Sequence, residues 1–498
     1  MRLGAFLLVV AASVAGCGGG SGGAAPAVAA APFAAGTGGT DAQYFKAAAA
    51  LPDGSTLAGG YFSGTAEFAE APAGSIVRVA PPNEYHGAVV RYDGAGNARW
   101  ASSVACVEAT VDAIVAAPDG SFVVAGVFEG GSATVNAGQP GAVTLPAGSG
   151  DSVYVARYAA NGTLLWARAD GGAIVMRVAH AALLSDGSCV VAGSFHGTAT
   201  FDTVVAPDAT ATTVSGEDAS FLAKYRPDGS IAWTKFQLGT GYHFLTAVAV
   251  LADDTVVAAG YYSGTSTFGE GEANETVVAT TGNNDAYLAY FASLDGSTQR
   301  VERIVGAGRD RCVGVCRLAN GSVAVCGAFI GDEVTFAPGT PAERTLTRTG
   351  AGSGLWLAQY GPGGVPTWIV EVESDEFLNG GRIAPMPDGG VALICTGPGT
   401  TTFGRGEPSE TTFAADGTML ILTARFLAGG TLAWARSDGA GEQAPEDIAA
   451  TPGGFILVAG HFRDAITFGA EGTSPHLLAP LDNREHGFVA RMRADGTY

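Results

Sequence analysis

Short apolar runs alternate with tight-turn sequences along almost the whole chain, and the alternation repeats at long range. A turn, an apolar run, a Gly, aromatics and a closing Phe recur as LPDGSTLAGGYFSGTAEF, APDGSFVVAGVFEGGSATV, LSDGSCVVAGSFHGTATF, LADDTVVAAGYYSGTSTF, LANGSVAVCGAFIGDEVTF, MPDGGVALICTGPGTTTF and TPGGFILVAGHFRDAITF. The central Gly falls at Gly60, Gly126, Gly193, Gly260, Gly327 and Gly460, with Cys395 in its place in the sixth unit. The steps are 66, 67, 67, 67, 68 and 65 residues. Near-equal units of this length are too short to be domains, so they specify a repeat architecture.

One unit resolves into strands. In the third, VMRVAHAALL runs into the turn at Ser185, Asp186, Gly187 and Ser188, and CVVAGSFHGTATF reads as a second strand. The variable segment DTVVAPDATATTVSGEDAS reads as a long loop, FLAKY as a third strand, and SIAWTKF, after a turn at 226–229, as a fourth. Pro-Asp-Gly suits a type I turn followed by a left-handed Gly. β-Branched and aromatic residues fill the runs between turns. The pattern predicts an all-β fold: a seven-bladed β-propeller of four-stranded antiparallel blades. The chain ends in GFVARMRADGTY, a third strand and its turn, with no fourth. Trp166 lies 21 residues before Gly187, Trp368 lies 21 before Gly389, and Phe33 lies 21 before Gly54. The segment around Phe33 is therefore expected to complete the last blade, which removes the free sheet edges.

The third strands form a ladder, VVRY, VARY, LAKY, LAYF, LAQY, TARF and VARM, and the fourth strands carry Trp100, Trp166, Trp233, Trp368 and Trp434. With G-x-F-x-G-T-x-x-F in the second strands, these repeats resemble a bacterial seven-bladed β-propeller repeat family of secreted and surface proteins. The resemblance spans about residues 33–498. It implies the fold and an exported location, and it implies no shared activity. The aromatic ladder is expected to be blade-to-blade core. The basic ladder (Arg91, Arg157, Lys224, Arg425 and Arg491) is expected to lie on a solvated strand face.

The N-terminus reads as a targeting segment. Residues 1–16, MRLGAFLLVVAASVAG, carry Arg2 ahead of a short apolar run, which is too short to span a bilayer. Val14, Ala15, Gly16 and Cys17 resemble the bacterial lipobox, which implies cleavage before Cys17 and acylation of its thiol and new amine by palmitate-like chains. Gly18 rather than Asp at the next position implies the outer membrane. Residues 17–32 are expected to form the acylated Cys and a Gly/Ala/Pro tether, and residues 33–498 the propeller.

Charge narrows the partners. The net charge is −21, and no basic stripe suited to a phosphate backbone is present, so no nucleic acid is expected. The membrane is expected to be a partner through the lipid anchor only. Composition is 47% hydrophobic with 75 Gly, enough for a core with many turns.

Chemistry is sparse. No nucleophile elbow, phosphate loop, EF-hand or zinc spacing occurs, so no catalytic set, metal or cofactor is expected. Counting seven residues back from each first-turn Gly, the innermost strands carry Ala47, Ala113, His180, Ala247, Gly314, Arg382 and Asp447. His180, Arg382 and Asp447 are candidate ligand-binding residues, with paired structural polars as the competing reading. His86, Asp151, Asp218, Asp285 and His486 are read at the starts of third strands. Third strands lie roughly 10 Å outside the innermost ones, which argues against a metal ring. Local hydrogen bonding is expected of them. His243 and the run 373–376 lie between units as weaker candidates. Beyond Cys17, the six Cys are expected to be buried free thiols, with Cys326 facing Gly314 rather than Cys316. The expected function is a lipid-anchored binding or interaction scaffold whose long-loop face takes a protein, a glycan or an envelope polymer. The alternatives are a lyase or hydrolase at the channel mouth, or an envelope assembly scaffold.

Overall fold

A computed structural model describes residues 31–71, 74–202, 209–213, 216–348, 352–415, 417–470 and 475–498. The segment 1–16, Cys17 and the tether as far as residue 30 lie outside the described residues. Every regular element among the described residues is a β-strand, and no helix is long and apolar enough to cross a membrane.

The first turn of each unit shows why these sequences make hairpins. Leu51 N–H donates to the Ser55 carbonyl at 2.9 Å, Gly54 N–H to the Leu51 carbonyl at 3.0 Å, and Ser55 N–H to Asp53 Oδ1 at 3.0 Å. Gly54 takes φ 83°, a left-handed conformation that suits a residue without a Cβ. Asp254 adopts φ 63° where the fourth unit lacks the Gly, as Asp tolerates.

Each unit folds into an antiparallel meander. In the third, Val175–Leu183 pairs Cys189–His196, which pairs Ala219–Tyr225, which pairs Ile231–Thr240. The innermost strands adjoin from unit to unit, and Gln443–Ala450 of the last returns against Gln43–Ala50 of the first. The arrangement is a β-propeller. Phe33–Gly39 supplies the fourth strand of the last unit, with Phe33 opposite Arg491 and Ala35 opposite Val489.

Two expectations are corrected. The G-T-x-x-F run does not continue the second strand. The chain turns at Gly197 (φ 96°), and Thr198–Phe201 forms a hairpin with Ala209–Thr212 inside what the sequence reads as a loop. That hairpin pairs with the fourth strand of the preceding unit, through Gly171 opposite Thr200. Facing Thr hydroxyls staple such hairpins, as in Thr198–Thr212 at 2.9 Å and Thr402–Thr412 at 2.9 Å.

Seven equivalent four-stranded blades are therefore corrected to six extended blades, five of six strands and one of seven, beside one plain four-stranded sheet. That sheet runs Asn379–Pro385, Val391–Gly397, Met419–Phe426 and Leu432–Gly441. The hairpin Ile466–Phe468 with His476–Leu478 contacts its outer strand but forms a separate two-stranded sheet. The closing Phe of six runs, Phe68, Phe201, Phe268, Phe336, Phe403 and Phe468, is buried, as is Val135 that closes the second.

Candidate binding site in the central channel

The innermost strands position the site, and a bulge decides which side chains reach it. The pairing slips between Phe45 and Ala47, Val178 and His180, Leu245 and Ala247, Cys312 and Gly314, and Pro445 and Asp447. A bulge inserts one residue and re-aims its neighbours. Lys46 sits in such a slip, and Asp112 lies in the gap between Glu108–Ala109 and Ala113–Ala116. Both line a central cavity of about 410 Å³, together with His180, Arg382 and Asp447. Lys46 Nζ lies 2.9 Å from Asp112 Oδ1.

The three candidate residues share the cavity wall, and each is bonded to the backbone. His180 Nδ1 donates to the Val248 carbonyl at 3.0 Å, on the next innermost strand. Arg382 Nη1 donates to the Val313 carbonyl at 2.7 Å, on the preceding unit. Asp447 Oδ2 accepts from Ala48 N–H at 2.8 Å, across the ring closure, and its Oδ1 accepts from Ile448 N–H at 2.9 Å. These bonds tie neighbouring innermost strands to one another. Burial, with the Arg382 charge second, lowers His180 to about 4, so its imidazole is neutral. Burial also raises Asp447 to about 6, against the pull of the Ala48 amide and Arg382.

Sequence reasoning missed the residues around them. Glu446, at the bulge before Asp447, lies 3.5 Å from His461 Nδ1. His461 packs on Tyr44 at 4.3 Å between ring centroids, and Tyr44 stacks on Tyr61 at 4.7 Å. A second aromatic row joins Phe244, Tyr261 and Arg311, with the guanidinium 4.8 Å from the Tyr261 ring centre. The available signal was position: Lys46, Asp112 and Glu446 each stand one residue before the counted position, at a bulge or a break in the pairing.

The two mouths differ. Pro52, Pro118, Pro387 and Pro452 of the tight turns gather at one end of the cavity. The long connections lie at the other, where Val107, Ile174, Tyr242 and Phe377 stand exposed in four of the segments joining successive units.

The ladders and the remaining candidates are placed as follows. The basic ladder is corrected from a solvated face to a set of ties. Arg91 reaches Ser55 at 2.9 Å and the Ala160 carbonyl, Arg157 the Gly187 carbonyl, and Lys224 the Ser293 carbonyl at 3.0 Å. Arg425 reaches the Ala494 carbonyl at 2.8 Å. Arg491 is fully buried against the carbonyls of Ala31, Gly54 and Gly94. The acceptors are turn carbonyls that strand periodicity does not register.

The aromatic ladder joins units as expected, but most of its indoles sit half-buried at the rim. Trp166 Nε1 donates to the Pro227 carbonyl at 2.8 Å, and Trp434 Nε1 to the Ala494 carbonyl at 2.9 Å. His86, Asp285 and His486 share one register position, opposite Phe62, Tyr262 and Phe462. Asp151 stands opposite Ala173 at the bulged end of its strand, and Asp218 precedes its strand, so these two do not share that position. His243 bonds the carbonyls of Thr265 at 2.9 Å and Asp218 at 3.3 Å. Glu373 pairs with Arg405 at 2.7 Å.

Gly314 faces Cys326, as the hairpin register requires, and the six described Cys are buried. Burial raises the thiols of Cys189, Cys326 and Cys395 to about 12, far from thiolate reactivity. Among the described residues, no group of three or more His, Cys, Asp or Glu is placed to hold a metal ion.

No family model matches the sequence, and no curated protein matches it. Among solved structures, Sqt1 from Chaetomium thermophilum is 12% identical over 91% of this chain and 97% of its own, with a TM-score of 0.37. A glucose dehydrogenase is 10% identical over 69% of this chain and 93% of its own, with a TM-score of 0.31. A protein of unknown function from Bacteroides caccae is 13% identical over 55% of this chain and 69% of its own, with a TM-score of 0.26. At these TM-scores the likenesses carry no argument about function.

Proposed function

We propose that this chain is an exported lipoprotein, acylated at Cys17 and held at the outer membrane. Its propeller counts seven blades with the four-stranded sheet included, resembles the bacterial surface repeat family, and binds a macromolecular partner through its long-loop face. A β-propeller is a binding scaffold in general. The observation that carries the reading to this face is the exposure of Val107, Ile174, Tyr242 and Phe377 on four connections around one mouth. Exposed apolar residues gathered on one surface mark interaction sites. In the channel, His180, Arg382 and Asp447 already bond backbone groups of neighbouring strands, which leaves the long-loop face to take the partner.

Two measurements test this. Cells fed an alkyne-bearing palmitate should label the wild-type chain in the outer-membrane fraction, and Cys17→Ala should abolish both label and sedimentation. A Cys17→Ala chain that still carries label would overturn the anchor. Photo-crosslinkers at Ile174 and Tyr242 should capture a discrete partner in intact cells. The same group at Leu294, exposed on a turn between third and fourth strands, should capture none. The reverse pattern would sink the assignment of the face.

A further inference from the structure

At each junction between units, one residue of a third strand meets the start of the next innermost strand. The chain fills that innermost position with Gln43, Ala109, Met176, His243, Asp310, Leu378 and Gln443, all buried. The facing third-strand position holds His86, Ser152, Ala219, Asp285, Gly354, Leu420 and His486. Asp285 with Asp310 is the one junction in this set that sets two acids together.

Where other units place Gln or His at that position, the side chain donates to carbonyls. Gln43 Nε2 donates to the carbonyls of Thr40 at 3.0 Å and Asp41 at 2.7 Å, and Gln443 Nε2 donates to the Met419 carbonyl at 3.2 Å. The fourth unit shows the geometry. His243 Nε2 and the Thr265 carbonyl, 2.9 Å apart, both crowd the open side of Gly239. One unit later, Asp310 Oδ2 and the Glu333 carbonyl both lie 2.7 Å from where a Cβ on Gly306 would stand. An ionised carboxylate has no proton to donate to that carbonyl. Asp310 is 1% exposed, and neither of its oxygens completes a hydrogen bond, the Gly306 amide being the donor that faces it. The nearby Arg303 Nη2 lies 3.5 Å from Asp285 Oδ2, so it serves Asp285. Thr281 Oγ1 adds a hydroxyl at the same corner, 3.3 Å from Asp285 Oδ1.

We propose that the corner formed by Asp310, Asp285 and the Glu333 carbonyl binds a hard divalent cation, for which calcium serves as the probe. The donors are carboxylate, carbonyl and hydroxyl oxygens, the set that such cations take. A buried, uncompensated carboxylate is costly, and a cation between it and the carbonyl removes the conflict. This site is distinct from the long-loop contact surface and would tie the fourth unit to the fifth. The competing chemistry is a proton: burial, with Asp285 beside it, raises Asp310 to about 7, and a protonated carboxyl could donate to the Glu333 carbonyl.

The test uses the purified full chain in a non-ionic detergent at about pH 8, above that value, stripped with a chelator. Calcium chloride is titrated to about 10 mM, well above the millimolar affinities of the weaker extracellular calcium sites. The wild-type melting temperature should climb with the logarithm of calcium concentration. Asp310→Asn can donate to the Glu333 carbonyl as His243 does to Thr265, so it should melt no lower than the stripped wild type and ignore calcium. Terbium luminescence, sensitised by Tyr262 and Tyr287 nearby, should show at least about tenfold weaker binding in the variant. A wild-type chain that ignores both ions would overturn the proposal in favour of a shared proton. Equal calcium responses in both proteins would overturn it too, by placing the ion elsewhere.

Discussion

Arg491 shows how one side chain can hold a closed ring. It lies fully buried and bonds the Ala31 carbonyl at 2.8 Å, the Gly54 carbonyl at 2.9 Å and the Gly94 carbonyl. Burial lowers it to about 10, still charged at neutral pH. Arg491→Met would remove the donor from the Ala31 and Gly54 carbonyls, while Gly94 keeps the Ala31 amide, and urea unfolding should show a loss of about 3–5 kcal/mol. His180 carries a pH signature. Its folded value, about 4, lies below its ordinary 6.5, so the unfolded chain binds the proton first as pH falls. Its contribution is present above about 6.5 and is lost as pH drops toward 4. His180→Gln should flatten that part of the stability profile, and an unchanged profile would mean the imidazole is not buried as described.

The fourth strand works through contacts with the next unit. Phe33, Trp100, Trp166, Trp233, Trp368 and Trp434 cover Gly96, Gly162, Gly229, Gly296, Gly430 and Gly496 in turn. Each of those Gly residues has positive φ, and a Cβ on Gly229 would stand 2.9 Å from the Trp166 ring. Arg300 takes the Trp place in the fourth unit and donates to the Pro362 carbonyl at 3.1 Å while stacking 3.6 Å over Tyr290. Trp166→Leu loses both the cover and the bond to Pro227, and should cost about 2–3 kcal/mol by thermal unfolding. The exposed neighbour Leu165→Ser should change stability by no more than about 0.5 kcal/mol. The repeat spacing made this ladder legible, because one aromatic recurs at a fixed offset from a turn Gly. The basic ladder was misread because its partners are backbone carbonyls of turns, which carry no residue signature.

At the scale of the whole molecule, closure is the structural commitment. Phe33–Gly39 pairs His486–Met492 on one side and the first unit's hairpin strand Thr65–Ala71 on the other. Removing residues 1–39 would expose two unpaired strand edges, which template association. Such a chain should melt at a lower temperature and elute as oligomers by size exclusion. Removing residues 1–30 alone should leave both readouts at the full-chain value.

The sequence by itself determined what local chemistry encodes: the repeat period, the strand-forming runs, the left-handed turn Gly residues, the Phe33 closure and the pairing of Gly314 with Cys326. Alternation along a strand and turn composition are short-range properties, so a single chain displays them. Only the tertiary structure decided the rest. A bulge or a break in pairing interrupts the alternation along an innermost strand, so Lys46 and Asp112 could not be told from their neighbours by alternation. The long connections became hairpins because the fourth strand of the preceding unit offered an open edge to pair. Asp310 came to face Asp285 and the Glu333 carbonyl because neighbouring units pack side by side. No spacing within one unit records which groups that packing brings together.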